Sequence, residues 1–137
     1  MIASPLAGNV LGSVDQSFAV AEWSDPGGPA GSRRYIAPWH VHHYDDEAWY
    51  VLEGRLTIRA GDEDVELQAG SAWLVPRGTP HTYWNPGPER TRYLLFMTPT
   101  LLRLIRAIHA LPDRSRATLQ RVFEENDSSL LNPPDGF

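Results

Sequence analysis

Between residues 33 and 87 this chain is interrupted by a turn every few residues. Turn-forming residues recur at positions 43–46, 53–54, 61–62, 69–70, 77–80 and 85–87. The runs between them are short and rich in β-branched and aromatic side chains. Runs of that length suit strands better than helices, and turns at such close, even spacing predict an antiparallel sandwich or barrel. Residues 17–23 read as a first strand, closed by the loop Asp25-Pro26-Gly27-Gly28-Pro29. Residues 92–98 read as the last long strand.

The segment 47–52 adds a constraint. Side chains alternate across a strand, so Glu47, Trp49 and Val51 share one face while Ala48, Tyr50 and Leu52 share the other. Both faces are largely apolar, which predicts cover on both sides, from a second sheet or from a subunit partner.

After Pro99 the period changes. Leu101, Leu102, Leu104, Ile105 and Ile108 recur at helical spacing until Pro112. A second helix follows with Asp113 or Ser115 as its cap and Leu119, Val122 and Phe123 as its apolar stripe. The tail 132–137 is irregular. The expected organisation is an arm over residues 1–13, a barrel over 14–99, and a helical appendage with its tail over 100–137.

At 137 residues the chain has room for one core rather than two, and 42% hydrophobic with 21% charged residues is the balance of a folded protein. All 12 basic residues are arginines, scattered along a chain of net charge −5, so nothing gathers cations for nucleic acid. Without lysine there is no Schiff-base chemistry, and without cysteine there is no thiol nucleophile, disulfide or thiolate metal site. Histidine, aspartate and glutamate remain as strong metal ligands. The start Met1-Ile2-Ala3-Ser4-Pro5 lacks the charge and apolar run of a leader, and no stretch approaches the roughly 20 apolar residues of a membrane span. A cytoplasmic protein is therefore expected.

Two segments carry the chemistry. His40 and His42 are two apart, so on a strand both imidazoles project to the same side. Glu47 lies at an odd offset from them, and the polar tetrad His43-Tyr44-Asp45-Asp46 turns the chain so that Glu47 opens the next strand beside the first. His81 follows the tight turn Pro76-Arg77-Gly78-Thr79-Pro80 and comes from a third strand. Three imidazoles and a carboxylate suit Fe, Mn, Ni, Co, Cu or Zn, and the donor set alone does not choose among them. At an octahedral ion four such ligands leave two positions open, whereas a tetrahedral zinc leaves none and is structural.

These segments resemble the two signature motifs of the cupin superfamily. The first, ending in His-x-His, Glu and Gly, is matched by His40, His42, Glu47 and Gly54. The second is matched in full by Gly70, Pro76, Gly78, His81 and Asn85. The glycine that usually leads the first motif is replaced here by Arg34, which touches a turn rather than a ligand. The resemblance spans residues 33–99. It implies an all-β, double-stranded β-helix (jelly-roll) barrel and one divalent metal ion held by His40, His42, Glu47 and His81. It also implies a homodimer. Residues 47–54 and 76–81 are most similar to small single-domain cupins related to quercetin dioxygenase, in which the liganding glutamate also serves as base; by that likeness Glu47 is the catalytic residue.

Ile36, Trp49, Ile58, Tyr83 and Phe96 are expected to line an aromatic pocket for a small molecule near the ion. The leading expectation is a metal-dependent, dioxygenase-like oxidoreductase acting on a small enol, phenol or aromatic compound. The alternatives are a metal-assisted isomerase, cyclase or lyase, and a non-catalytic module that binds or senses a small molecule. His43 in the turn, His109 on the first helix and Arg77 in its loop read as ordinary surface or packing residues.

Overall fold

The computed structural model describes residues 6, 8–135 and 137, so the start read at residues 1–5 lies outside the described residues. The turn-punctuated runs form β1 (Val10–Leu11), β2 (Ala19–Asp25), β3 (His40–His42), β4 (Glu47–Glu53), β5 (Arg55–Ala60) and β6 (Glu63–Gln68). They continue as β7 (Ala72–Val75), β8 (His81–Trp84) and β9 (Thr91–Met97). Helices α1 (Pro99–His109) and α2 (Arg116–Glu125) follow, then β10 (Ser128–Leu130). Two antiparallel five-stranded sheets result, ordered β1-β2-β9-β4-β7 and β10-β3-β8-β5-β6. This is the double-stranded β-helix, and its core lies between the sheets. Trp49, Val51, Tyr93, Leu95 and Met97 come from the first sheet and Leu56, Ile58, Leu67 and Tyr83 from the second, all buried.

The order of the strands corrects one expectation. β4 does not lie beside β3: it pairs with β7 and β9, whereas β3 pairs with β8 and β10. The turn at residues 43–46 carries the chain from one sheet to the other, so Glu47 faces His40 and His42 across the barrel. The cover on both faces of β4 is also only half supplied by this chain. Val20, Phe96, Ala48 and Leu74 align in register across four strands on the outer face, with Phe96 38% and Leu74 56% exposed. A subunit partner of the kind expected from the sequence would have that row to sit on.

Each helix is set by its cap. Thr98 accepts the Leu101 amide at the start of α1, beside the helix-starting Pro99, and Ser115 accepts the Thr118 amide at the start of α2. Asp113 receives the Ser115 amide, so both cap candidates are used. Leu101 and Leu102 enter the barrel core. Leu104 instead joins Val122, Phe123 and Leu130 in a second cluster that ties α1, α2 and β10 over one end of the barrel. Strand β10 has no counterpart in the sequence reading, nor does the short β1 within residues 1–13.

The motif residues outside the histidine–glutamate set shape the turns. Gly54 joins β4 to β5 at φ 77°, and a Cβ there would strike the Arg90 carbonyl oxygen. Gly78 donates its amide to the His42 carbonyl at 2.7 Å, which fastens the loop before β8 onto β3. Buried Asn85 donates to the Glu89 carbonyl and accepts from the Gly87 amide, each at 2.8 Å, and so fixes the loop between β8 and β9. Arg34, in place of the usual glycine, pairs with Asp25 at 3.1 Å.

Candidate metal centre

His40, His42, Glu47 and His81 converge, each offering one donor atom, with those atoms all within 4.8 Å of one another and all four residues buried. Their supports come from three directions. His40 and His42 share a face of β3, His81 lies opposite His40 in the β3–β8 register, and Glu47 enters from the facing sheet.

The outward nitrogen of every imidazole is occupied. His40 Nδ1 donates to the Pro38 carbonyl at 2.6 Å and His81 Nδ1 to the Thr79 carbonyl at 2.9 Å. His42 Nδ1 meets the Ser128 hydroxyl at 2.7 Å. That hydroxyl gives its own proton to the Asn126 carbonyl, so it accepts from His42 rather than donating. With all three Nδ1 atoms protonated, all three Nε2 lone pairs point inward, the arrangement in which outer hydrogen bonds orient histidines toward a metal. The Nε2 atoms of His40 and His42 stand 3.1 Å apart, close enough to repel unless a positive charge lies between them. The donor set therefore fits a divalent cation.

The electrostatics agree. Burial, and next the charges of His81 and His42, push His40 well below its ordinary value, which keeps the ring neutral. Burial alone would raise the Glu47 carboxyl. In the metal-free site, positive charge carried at the Nε2 atoms of His42 and His81, which lie 2.9 and 3.1 Å from Oε2, outweighs it and holds Glu47 well below the usual carboxylate range. The carboxylate is anionic and waiting for positive charge, whether protons on the imidazoles or a metal.

Three of the four ligands, His40, His42 and Glu47, border a cavity of about 480 Å³. Of the residues expected to line a pocket, Ile36 and Tyr83 do. Trp49 and Ile58 belong instead to the closed core, with the Trp49 ring edge-on to His81 at 5.8 Å. Phe96 does not face the site at all. On β9 the inward residues are Tyr93, Leu95 and Met97, which leaves Phe96 on the outer surface. Both faces of that strand are apolar, so hydrophobicity alone could not say which was inner.

One wall of the cavity was not legible in the sequence. Leu101, Leu104 and Ile105 of α1 and Phe123 of α2 close the cavity, and Phe123 stands edge-on to His40 at 5.4 Å. The helical stripe was the available signal. His109 lies at the cavity's edge against Trp23, 6.0 Å between rings. Tyr93 was missed as well: its hydroxyl reaches that of Tyr83 at 3.2 Å. Burial raises both phenols, Tyr83 well above its ordinary value and Tyr93 to about 12, so both stay protonated. Arg77 is engaged by Asp46 through its amide and its guanidinium, as befits a loop residue.

Residues 32–97 match the family model described as a cupin domain. That stretch is a cupin domain. Over 60 residues, 44% of this chain and 39% of the relative, the cupin is 33% identical to the polyketide synthase CurC of Streptomyces cyaneus. Over 56 residues, 41% of this chain and 16% of the relative, it is 36% identical to the quercetin 2,3-dioxygenase of Bacillus subtilis strain 168. The matched segments thus span well under half of those curated relatives. Among solved structures, an uncharacterized conserved protein with a double-stranded β-helix domain from Klebsiella pneumoniae superposes with TM-score 0.55. The two are 25% identical over 66% of this chain and 70% of that one. Among the described residues no helix is long and apolar enough to cross a membrane.

Proposed function

We propose that this cupin is a metal-dependent dioxygenase-like enzyme acting on a small enol, phenol or aromatic substrate. The observation that carries the reading is the convergence of three inward Nε2 lone pairs and one carboxylate at the edge of a largely apolar cavity. His40, His42, Glu47 and His81 would hold one divalent ion. The bound ion would supply Lewis acidity toward a substrate oxygen and, if redox-active, a path for electrons to dioxygen.

The rest falls to the chain's own groups. The Nε2 atoms of His42 and His81 both lie against Oε2, which leaves Oε1 to take a proton from a substrate hydroxyl. The walls from α1 and Phe123 keep water from the ionised substrate. The likeness to quercetin 2,3-dioxygenase supports this chemistry. A second reading is a metal-assisted isomerase, cyclase or lyase that needs no oxygen, since the same four donors would hold its ion.

The test is oxygen consumption by protein reconstituted with iron, manganese, nickel or cobalt, offered flavonols, diketones and catechols. Uptake with at least one pairing, lost in Glu47→Gln, is expected. No uptake with any pairing overturns the oxygenase, and turnover of the same compounds under strict anaerobiosis supports the second reading.

A further inference from the structure

Tyr83 and Tyr93 come from opposite sheets, β8 and β9, and meet hydroxyl to hydroxyl at 3.2 Å inside the barrel. Both are buried, and both line the same cavity as His40, His42 and Glu47. Two phenols joined by one hydrogen bond use one of their two protons, because one hydroxyl donates and the other accepts. The second proton has no acceptor among the described residues. Beside it stands the buried Trp49 indole, its ring 5.3 Å from that of Tyr83. Buried donors without acceptors are costly, and they are retained where a ligand supplies the acceptor.

We infer that the Tyr83–Tyr93 pair is a second polar anchor, which selects substrates bearing an acceptor oxygen distal to the chelating end. The inference rests on the metal-binding reading above and narrows its substrate class. Tyr83 follows His81 by two positions on the same face of β8, so the two side chains rise about 7 Å apart along the strand. The fitting molecule is flat, chelates through one oxygen group, and carries a carbonyl or similar acceptor about one aromatic ring away. Ile36, Leu95, Leu101, Ile105 and Phe123 supply the apolar walls for the ring between. Sites built to hydrogen-bond a polar group discriminate strongly against analogues that lack it.

The experiment compares two probes on the cobalt(II)-loaded protein. 3,4-Dihydroxybenzaldehyde carries the distal acceptor, whereas 4-methylcatechol offers the same pair of chelating oxygens without it, so each probe is compared with itself across the variants. Binding is read from the cobalt visible spectrum and by calorimetry, in wild type, Tyr83→Phe and Tyr93→Phe, with thermal melts to confirm that the variants fold. Each substitution is expected to weaken the aldehyde about tenfold, the value of one hydrogen bond, and to leave 4-methylcatechol unchanged. Equal loss for both probes, or no loss for the aldehyde, overturns the anchor and makes the tyrosines packing residues. Failure of wild type to bind either catechol at the cobalt overturns the underlying chelation reading along with the anchor.

Discussion

The hydroxyl of Ser128 decides which nitrogen of His42 carries the proton. It accepts from Nδ1 because its own hydrogen is committed to the Asn126 carbonyl. Ser128→Ala should leave the fold intact yet weaken metal binding by about 10- to 100-fold, the usual effect of removing such an outer partner; a competitive chelator titration measures it. Acid should act on the metal-free site in two stages. His40 sits below its ordinary value of 6.5 and Glu47 below its ordinary value of 4.5. In both cases the unfolded chain binds the proton more readily, so stability is full above the unfolded value and is lost as pH falls. Thermal melts in the presence of a chelator should show stability falling from about pH 6.5 downward and falling further below about pH 4.5. Stability that rises on acidification would contradict these assignments. The candidate cluster was legible because strand parity and the motif spacing single out its four residues. Ser128 was not, since it lies 86 residues from the ring it orients and nothing local marks it.

At the scale of elements, the turns read from composition became the turns of the barrel, because glycine, proline and short polar residues restrict the backbone wherever they fall. Gly54 shows how firmly. Its positive φ and the Arg90 carbonyl facing it leave no room for a side chain. Gly54→Ala should lower stability by roughly 2 kcal/mol or more, combining left-handed backbone strain with a backbone clash; chemical denaturation would show it. What the sequence could not yield was the pairing of strands. An odd offset from His42 to Glu47 is satisfied equally by a neighbouring strand and by one in the facing sheet, and only the sheet order separates them. Phe96 was misplaced for a related reason, since a strand apolar on both faces has no hydrophobic sidedness. β10 is three residues long and draws its stability from pairing with β3, not from its own composition.

Over the whole molecule, the two sheets bring the ligands together and the helices finish the enclosure. α1 and α2 share a cluster with Leu130 of β10, and β10 in turn carries the serine behind His42. The appendage that looked separate in the sequence is thus part of the site's support, which is why its apolar stripe was readable but its purpose was not. The chemistry proposed for this fold depends on those four side chains holding one cation. Elemental analysis of untagged protein, dialysed free of loose ions, tests this most directly. About one divalent metal per chain is expected in wild type, with almost none in His42→Ala or His81→Ala. Wild-type protein that takes up no metal, or variants that retain it in full, would contradict the assignment.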